Sequence, residues 1–160
     1  MTRPSGPASS RPRRRSSAGT RVGRRRGRRL SGIDKALIAL EVLLAVGAIP
    51  AGLLMVIRPS GGLMQMPVTM LAGSPFHDFL WPGLVLIAAN GLLPLAVARG
   101  AWQRKAWAPI GHTVVGVVLV GWIVVEMVMV DYHWLQAAYL CLGAVILGLG
   151  TWRWRRGVAA

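Results

Sequence analysis

The chain has 160 residues, of which 54% are hydrophobic and only 15% are charged. This balance excludes a soluble domain of that size, whose surface needs more polar residues, and requires apolar side chains to face lipid. The formal net charge of +14 does not form one folded basic surface, because the basic residues precede Leu30 or flank apolar stretches. Nucleic acid is therefore not expected as a partner, and the single cysteine, Cys141, excludes an intrachain disulfide.

Residues 1–32 form a basic tail that contains eleven arginines before Leu30 and consists otherwise mainly of Ser, Pro and Gly. A segment with so few large apolar residues cannot offset the entropy of ordering, so we predict that it is disordered. Each basic residue near an anionic surface contributes about 1 kcal/mol, and the tail is expected to contact anionic lipid headgroups. A tether for nucleic acid or for an acidic partner is the alternative.

The paired arginines Arg28 and Arg29 precede an apolar stretch, as in a cleaved export signal. Against that interpretation, the charged region is long, the apolar stretch is long enough to cross a bilayer and carries Glu41, and further spans follow. We therefore expect this stretch to stay in the protein as its first span. Translation from a start downstream of Met1 is left open.

Four apolar stretches approach the roughly 20 helical residues that cross a hydrocarbon core. They lie at residues 36–57, 79–98, 108–130 and 134–151. A loop at 58–78, a basic turn at 99–107 and a short turn at 131–133 connect them, and a basic tail follows at 152–160. Because short turns force neighbouring helices antiparallel, the predicted fold is all-α, a four-helix transmembrane bundle with a disordered basic N-terminal tail.

The distribution of positive charge predicts the orientation of this bundle. Eighteen of the nineteen Lys and Arg residues fall on one side of it, and only Arg58 falls on the other. Since basic residues are retained in the cytoplasm, both termini are predicted to be cytoplasmic. Tryptophans are expected at both membrane interfaces: Trp81 and Trp134 outside, and Trp102, Trp107, Trp152 and Trp154 inside.

Polar side chains inside the predicted spans are the candidates for function, since an ionisable group in hydrocarbon costs several kcal/mol unless it finds water or a partner. These candidates are Glu41, Asn90, His112 and Glu126. They could form a proton or ion pathway, or a polar pocket for a small ligand. The alternative is plain interhelical hydrogen bonding, worth about 1 kcal/mol or less per bond in a bilayer, with Glu126 reaching for the outer surface.

Helical spacing places two of these candidates on small-sided helix faces. Glu41 shares its face with Ala45, Ala48 and Gly52, which allows close helix contact. His112 lies at a similar depth in the third span, so it is placed to pair with Glu41. Farther along that span, the face of His112 continues through Gly116 and Leu119 to Glu126.

Asn90 lies near the middle of the second span, on roughly the same face as Gly83 and Pro94. Pro82 is tolerated in a first helical turn, whereas Pro94 removes a backbone hydrogen bond deeper in the helix and is expected to bend it. A bend beside an amide side chain would open a small polar cavity.

The loop at 58–78 has an apolar centre that is too short to span, so it is expected to lie in the interface or to fold over the bundle mouth. Its methionines Met64, Met66 and Met70 are spaced so that their thioethers could gather and suit Cu(I). The residues also predicted near the outer face are Met127, Met129, His77 and His133. Without a dense Met and His repeat, methionine that fills an apolar face is preferred. We therefore predict neither a metal nor another cofactor.

His77 and Asp78 stand side by side at the end of this loop and are candidate outer-face residues. Together they could be part of a proton-transfer pair. Capping of the second span by Asp78 is the preferred interpretation.

Part of the chain resembles a family of small four-span bacterial integral membrane proteins that has no assigned function. The resemblance covers residues 37–150 and rests on Met66-Pro67, Gly73-Ser74-Pro75-Phe76, Phe79, Pro82-Gly83, Asn90-Gly91, Gly121-Trp122-Ile123 and Trp134-Leu135-Gln136. It implies a compact four-helix unit with an outer loop in the bacterial cytoplasmic (inner) membrane. It supplies no catalytic residue and no substrate.

Two classes of function remain. The preferred one is a non-enzymatic accessory or interaction subunit, which contacts other membrane proteins or a second copy through its small-residue faces. The alternative is a small transporter, channel subunit or ligand sensor that uses the polar residues inside the spans. An enzyme is not predicted, because no nucleophile has a positioned base and no helix carries closely spaced His and acidic ligands.

Overall fold

The computed structural model describes residues 30–129 and 133–158. Its regular structure is entirely helical within these ranges. Four helices are long and apolar enough to cross a membrane: Gly32–Ile57, Leu80–Trp102, Ala108–Val128 and Trp134–Gly157. The predicted all-α class and the four spans are confirmed. Most of the predicted disordered tail, residues 1–32, lies outside the described ranges, but its end is ordered, since Ser31 caps the first helix and Gly32 begins it.

Helix α1, Gly32–Ile57, begins earlier than the predicted residue 36 because a capping box precedes its apolar run. The Ser31 hydroxyl accepts a hydrogen bond from the Asp34 amide at 3.2 Å, and the Asp34 carboxylate accepts one from the Ser31 amide at 3.1 Å. These reciprocal bonds satisfy amide groups that a helix start leaves open. Farther along α1 the predicted small-sided face is buried, from Glu41 to Gly52.

Helix α2, Leu80–Trp102, contains a π-helical segment at Leu86–Leu92. The amide of Leu93 bonds to the carbonyl of Ala88, five residues back, just before Pro94. This wider turn leads into the proline, which lacks an amide of its own, and the chain remains helical through Pro94. Instead of ending at residue 98, α2 continues to Trp102, with the exposed Arg99 in its last turn. A positive charge at that position stabilises the helix through its interaction with the negative end of the helix dipole.

Helices α3, Ala108–Met129, and α4, Trp134–Val158, complete the bundle. Residues 152–158, predicted as part of a basic tail, are the last turns of α4. There the Arg156 guanidinium lies 4.0 Å from the centre of the Trp152 ring, one helical turn away. Arg153 donates to the Asp34 carboxylate of α1 at 2.8 Å. Contacts of this kind allow a charged interfacial sequence to stay helical.

Glycines bring α3 and α4 close together. A Cβ atom on Gly116 would lie 2.5 Å from the backbone nitrogen of Leu147, and one on Gly150 would lie 2.8 Å from that of Thr113. Backbone therefore packs on backbone in this helix pair, which contacts extensively along its length.

The buried core joins all four helices. Its members are Leu37, Leu44, Val97, Val115, Leu119, Ile123 and Ile146. We call the end of the bundle that carries Asp34, Arg99 and Arg153 the basic end. The opposite end, formed by residues 58–79 and His133, is the loop end.

Candidate functional site: a cavity at the loop end

A cavity of about 580 Å³ lies between the helices at the loop end. All four helices and the loop contribute to it. The lining residues are Leu44, Gly47, Ala48, Ala51 and Met55 of α1; Met64, Met66 and Met70 of the loop; Leu86 and Asn90 of α2; Leu119, Trp122, Ile123 and Glu126 of α3; and His133, Leu135, Gln136 and Tyr139 at and within α4. Most of this wall is apolar, and its polar groups are few.

The loop folds over the cavity, as its apolar centre indicated. Leu71, at the end of a short 3₁₀ helix at Val68–Leu71, is buried, and so is Phe79 at the end of the loop. The amide of Phe79 donates to the Pro59 carbonyl at 2.9 Å, which joins the two ends of the loop. Gly61, at a φ of 76°, allows the sharp turn that brings Met66 back toward it. The methionines thus roof the cavity.

Asn90 is the most informative side chain in the wall. It is 1% exposed, and neither its amide nitrogen nor its amide oxygen has a hydrogen-bond partner among the described residues. Such an unmet buried polar group costs about 1–3 kcal/mol. The residue lies in the π-helical segment of α2, a distortion that frequently occurs at functional sites. A molecule in the cavity that both accepts and donates hydrogen bonds would satisfy it.

Glu126 supplies the acidic group of the wall. Its Oε1 atom accepts a hydrogen bond from Nε1 of Trp122 at 2.8 Å, one helical turn earlier on α3. The side chain is partly buried and lines the cavity. Trp122 therefore holds the carboxylate against the wall, which differs from the alternative interpretation in which Glu126 reaches for the outer surface.

Two polar lining residues, Gln136 and Tyr139, were not among the sequence candidates. Gln136 accepts a hydrogen bond from the His133 amide at 3.1 Å and closes the start of α4. Tyr139 lies on the same side of α4, one turn further along. The three-residue spacing of Gln136 and Tyr139 in an otherwise apolar helix was the available signal for this part of the wall.

The other two sequence candidates form a separate pair. Nδ1 of His112 lies 2.7 Å from Oε1 of Glu41, and both side chains are buried. The sequence placed the two residues at similar depths, where they could pair, and the structure brings them into contact. Leu44 and Leu119, one and two helical turns toward the loop end, are buried and form the adjoining cavity wall. The structure therefore divides the proposed single pathway into a buried pair and a cavity.

The structure does not bring His77 and Asp78 into this cavity. His77 is exposed. The Asp78 carboxylate accepts a hydrogen bond from the amide of Leu80, the first residue of α2, at 3.0 Å. This is the predicted capping role, in which a carboxylate satisfies a free amide at a helix start.

The candidate Cu(I) ligands are only partly gathered by the structure. Met64, Met66, Met70 and His133 line the cavity, whereas His77 and Met127 are exposed and do not line it. Within residues 30–129 and 133–158, no group of three or more His, Cys, Asp and Glu residues is placed to hold a metal ion. The arrangement is suited to binding a molecule of mainly apolar character.

Comparisons of this chain with protein-family models, with curated proteins and with solved structures give no match. The resemblance to four-span bacterial proteins therefore stays a prediction.

Proposed function

We propose that this protein is a non-enzymatic membrane sensor that binds a small, largely apolar molecule in the loop-end cavity. The observation that carries the proposal is Asn90, a buried amide on the cavity wall whose two polar atoms are unpartnered within the described chain. Native folds rarely leave such a group unsatisfied. A bound molecule with a hydroxyl or carbonyl group would complete its hydrogen bonds.

The size and lining of the cavity support this proposal. Its volume of about 580 Å³ falls within the range of about 300–1,000 Å³ that is typical of small-molecule sites. Such sites combine apolar walls with a few well-placed polar groups. Here the polar groups that can orient a ligand are Asn90, Glu126 and Tyr139.

Packing on the basic side of the cavity favours a sensor over a channel or transporter. Leu37, Leu44 and Val115 are essentially inaccessible there, and the Glu41–His112 pair lies among them. Close-packed interiors leave little space for a permeating ion. A ligand bound at the loop end is thus separated from the basic end by filled core.

The structure weakens one reason for the accessory role that the sequence favoured, namely small-residue faces available to a partner. The small-residue face of α1 is occupied within the chain, since a Cβ on Gly52 would lie 2.8 Å from the Gly83 carbonyl oxygen of α2. That face is not free for a partner. Binding to other membrane proteins or to a second copy remains a prediction for the exposed helix surfaces.

We further propose that the loop end faces outward from the cytoplasmic membrane of a bacterium, with both termini inside. The position of the basic residues supports this orientation, because basic residues are retained on the cytoplasmic side. At the basic end, the arginines of α4 are joined by Lys35, Arg99, Arg104 and Lys105. The basic tail would then contact anionic lipid headgroups in the cytoplasmic leaflet. In this orientation the cavity would bind molecules that arrive from outside the cell or from the outer leaflet.

The test is photolabelling of the purified protein in lipid nanodiscs with a diazirine-bearing octanol. We expect saturable labelling of peptides from the loop and from residues 122–126. Asn90→Leu removes both hydrogen-bonding atoms and should lower labelling about tenfold, the equivalent of about 1.4 kcal/mol. Gln103→Leu, which removes an exposed amide at the basic end, is the matched control and should label like the parent. Labelling that does not saturate, or that Asn90→Leu leaves unchanged, would contradict the proposal.

A further inference from the structure

A second depression lies on the outer surface of the bundle, along the seam between α1 and α4. It is a groove of about 440 Å³, with apolar walls that include Leu43, Val46 and Leu142. Leu43 is 62% exposed and Val46 is 63% exposed, so in a membrane these walls contact acyl chains. Helices α1 and α4 also contact each other much less extensively than α3 and α4 do.

The groove and the loop-end cavity share a boundary. Gly47, Leu135 and Tyr139 line both of them. A Cβ atom built on Gly47 would lie 2.9 Å from the Tyr139 hydroxyl oxygen, so the tyrosine crosses the seam at a position where α1 has no side chain. The Tyr139 side chain therefore lies between the cavity and the groove at this point.

We propose that the ligand is a membrane-dissolved, single-chain lipophile with an uncharged hydroxyl or carbonyl head, and that it reaches the cavity sideways through the α1–α4 groove. This inference rests on the proposed function of the cavity. The head would bond to Asn90, and the chain would pass Tyr139 and lie along Leu43 and Val46 in the groove. Because Gly47, Leu135 and Tyr139 line both spaces, displacement of the Tyr139 side chain would join them into one mainly apolar path.

The distribution of charge selects the head group. The acidic side chain of Glu126 lies in the cavity wall, and the described wall contains no Lys or Arg. A fatty acid would bring a carboxylate beside this acidic group, and the one basic side chain of the described wall, His133, is exposed. An alcohol or ketone head meets Asn90 without that repulsion.

The test uses a diazirine-bearing hexadecanol dissolved in the bilayer of proteoliposomes. Ala138→Trp fills the groove without changing the cavity, because Ala138 is exposed and lines the groove but not the cavity. We expect this variant to lower labelling of the cavity peptides by roughly tenfold, about the effect of excluding two methylene groups from an apolar site. Ala144→Trp places the same side chain on an exposed part of α4 outside the groove and should label like the parent.

Two further probes separate this inference from the proposed function. Diazirine-bearing octanol is short enough to fit inside the cavity, so Ala138→Trp should leave its labelling unchanged. Diazirine-bearing hexadecanoic acid should label the parent at least about tenfold less than the alcohol, because of Glu126.

Specific outcomes would overturn the inference. If Ala138→Trp labels with hexadecanol as well as the parent does, access through the groove is wrong while the octanol site stands. If the acid labels as strongly as the alcohol, the uncharged head is wrong. If octanol labels the cavity and hexadecanol does not, the ligand class is wrong, and if neither alcohol labels it, the proposed function fails as well.

Discussion

Nδ1 of His112 and Oε1 of Glu41 lie 2.7 Å apart, with the two side chains 1% and 0% exposed. The second carboxylate oxygen of Glu41 has no hydrogen-bond partner in the part of the chain that the structure describes. His112 is thus the group that compensates a carboxyl buried between α1 and α3. Breaking such a pair is costly because the remaining partner stays buried without compensation.

His112→Leu is therefore expected to destabilise the protein by about 3 kcal/mol. The double variant Glu41→Leu/His112→Leu removes both polar groups and should be more stable than the single one, because well-packed apolar residues often replace a buried pair at little cost. Denaturant unfolding in mixed micelles, followed by tryptophan fluorescence, measures both changes. The single variant Glu41→Leu completes the comparison. If the double variant loses as much stability as His112→Leu and Glu41→Leu together, the two side chains are not coupled.

Asn90→Leu should raise stability while it weakens ligand binding. Removing a buried amide without partners relieves a penalty of about 1–3 kcal/mol, whereas removing a hydrogen-bonded structural amide has the opposite sign. Unfolding of the ligand-free protein in detergent measures the change. Lower stability of Asn90→Leu would mean that this amide supports the fold and would weaken the case for a binding site.

The α3–α4 contact depends on the missing side chain at Gly116. Gly116→Ala should destabilise the bundle by about 1–3 kcal/mol, because the new methyl group meets the backbone of Leu147. Gly121→Ala lies on the same helix at a position where a Cβ atom meets nothing within 4 Å. That control should be neutral or slightly stabilising, since alanine favours a helix over glycine. Equal effects of the two substitutions would disprove close contact at Gly116.

Asp34 has two roles at the basic end, so its loss should cost more than the loss of Arg153. Asp34→Ala removes the carboxylate half of the capping box, which accepts from the Ser31 amide, and the ion pair together, while the bond from the backbone amide at position 34 to the Ser31 hydroxyl is kept. We expect a loss of about 1–2 kcal/mol from the cap, whereas Arg153→Ala should cost less than about 1 kcal/mol because partly exposed ion pairs contribute little. Arg155→Ala, at an exposed position of the same turn, serves as the reference. Thermal unfolding that ranks Arg153→Ala as the most damaging would contradict this assignment.

The sequence was sufficient to predict the helices but not all of their ends. Each predicted span coincides with a helix, because a single apolar segment of about 20 residues can satisfy its backbone hydrogen bonds in lipid only as a helix. The predicted start of α1 was late because the span was counted from its apolar run at residue 36, whereas the helix begins with the capping box that Ser31 forms with Asp34. The predicted end of α4 was early because arginines mark the membrane boundary and not the end of hydrogen bonding, which continues to Val158.

The candidate site was only partly predictable. Depth along two helices indicated the Glu41–His112 contact, since depth follows from residue position in a span. The cavity depends on how four helices and a loop meet in three dimensions, which no single periodicity encodes. Gln136 and Tyr139 were missed for that reason, as was the π-helical turn that carries Asn90.

The first and last helices are fastened to each other unequally along their length. At the basic end, the Asp34 carboxylate that begins α1 also accepts a hydrogen bond from Arg153 near the end of α4. Nearer the loop end, the same two helices meet where Tyr139 faces Gly47. The ion pair thus holds α1 against α4 at the basic end, so any separation of these two helices should be smallest there and largest at the loop end, beside the cavity-lining methionines.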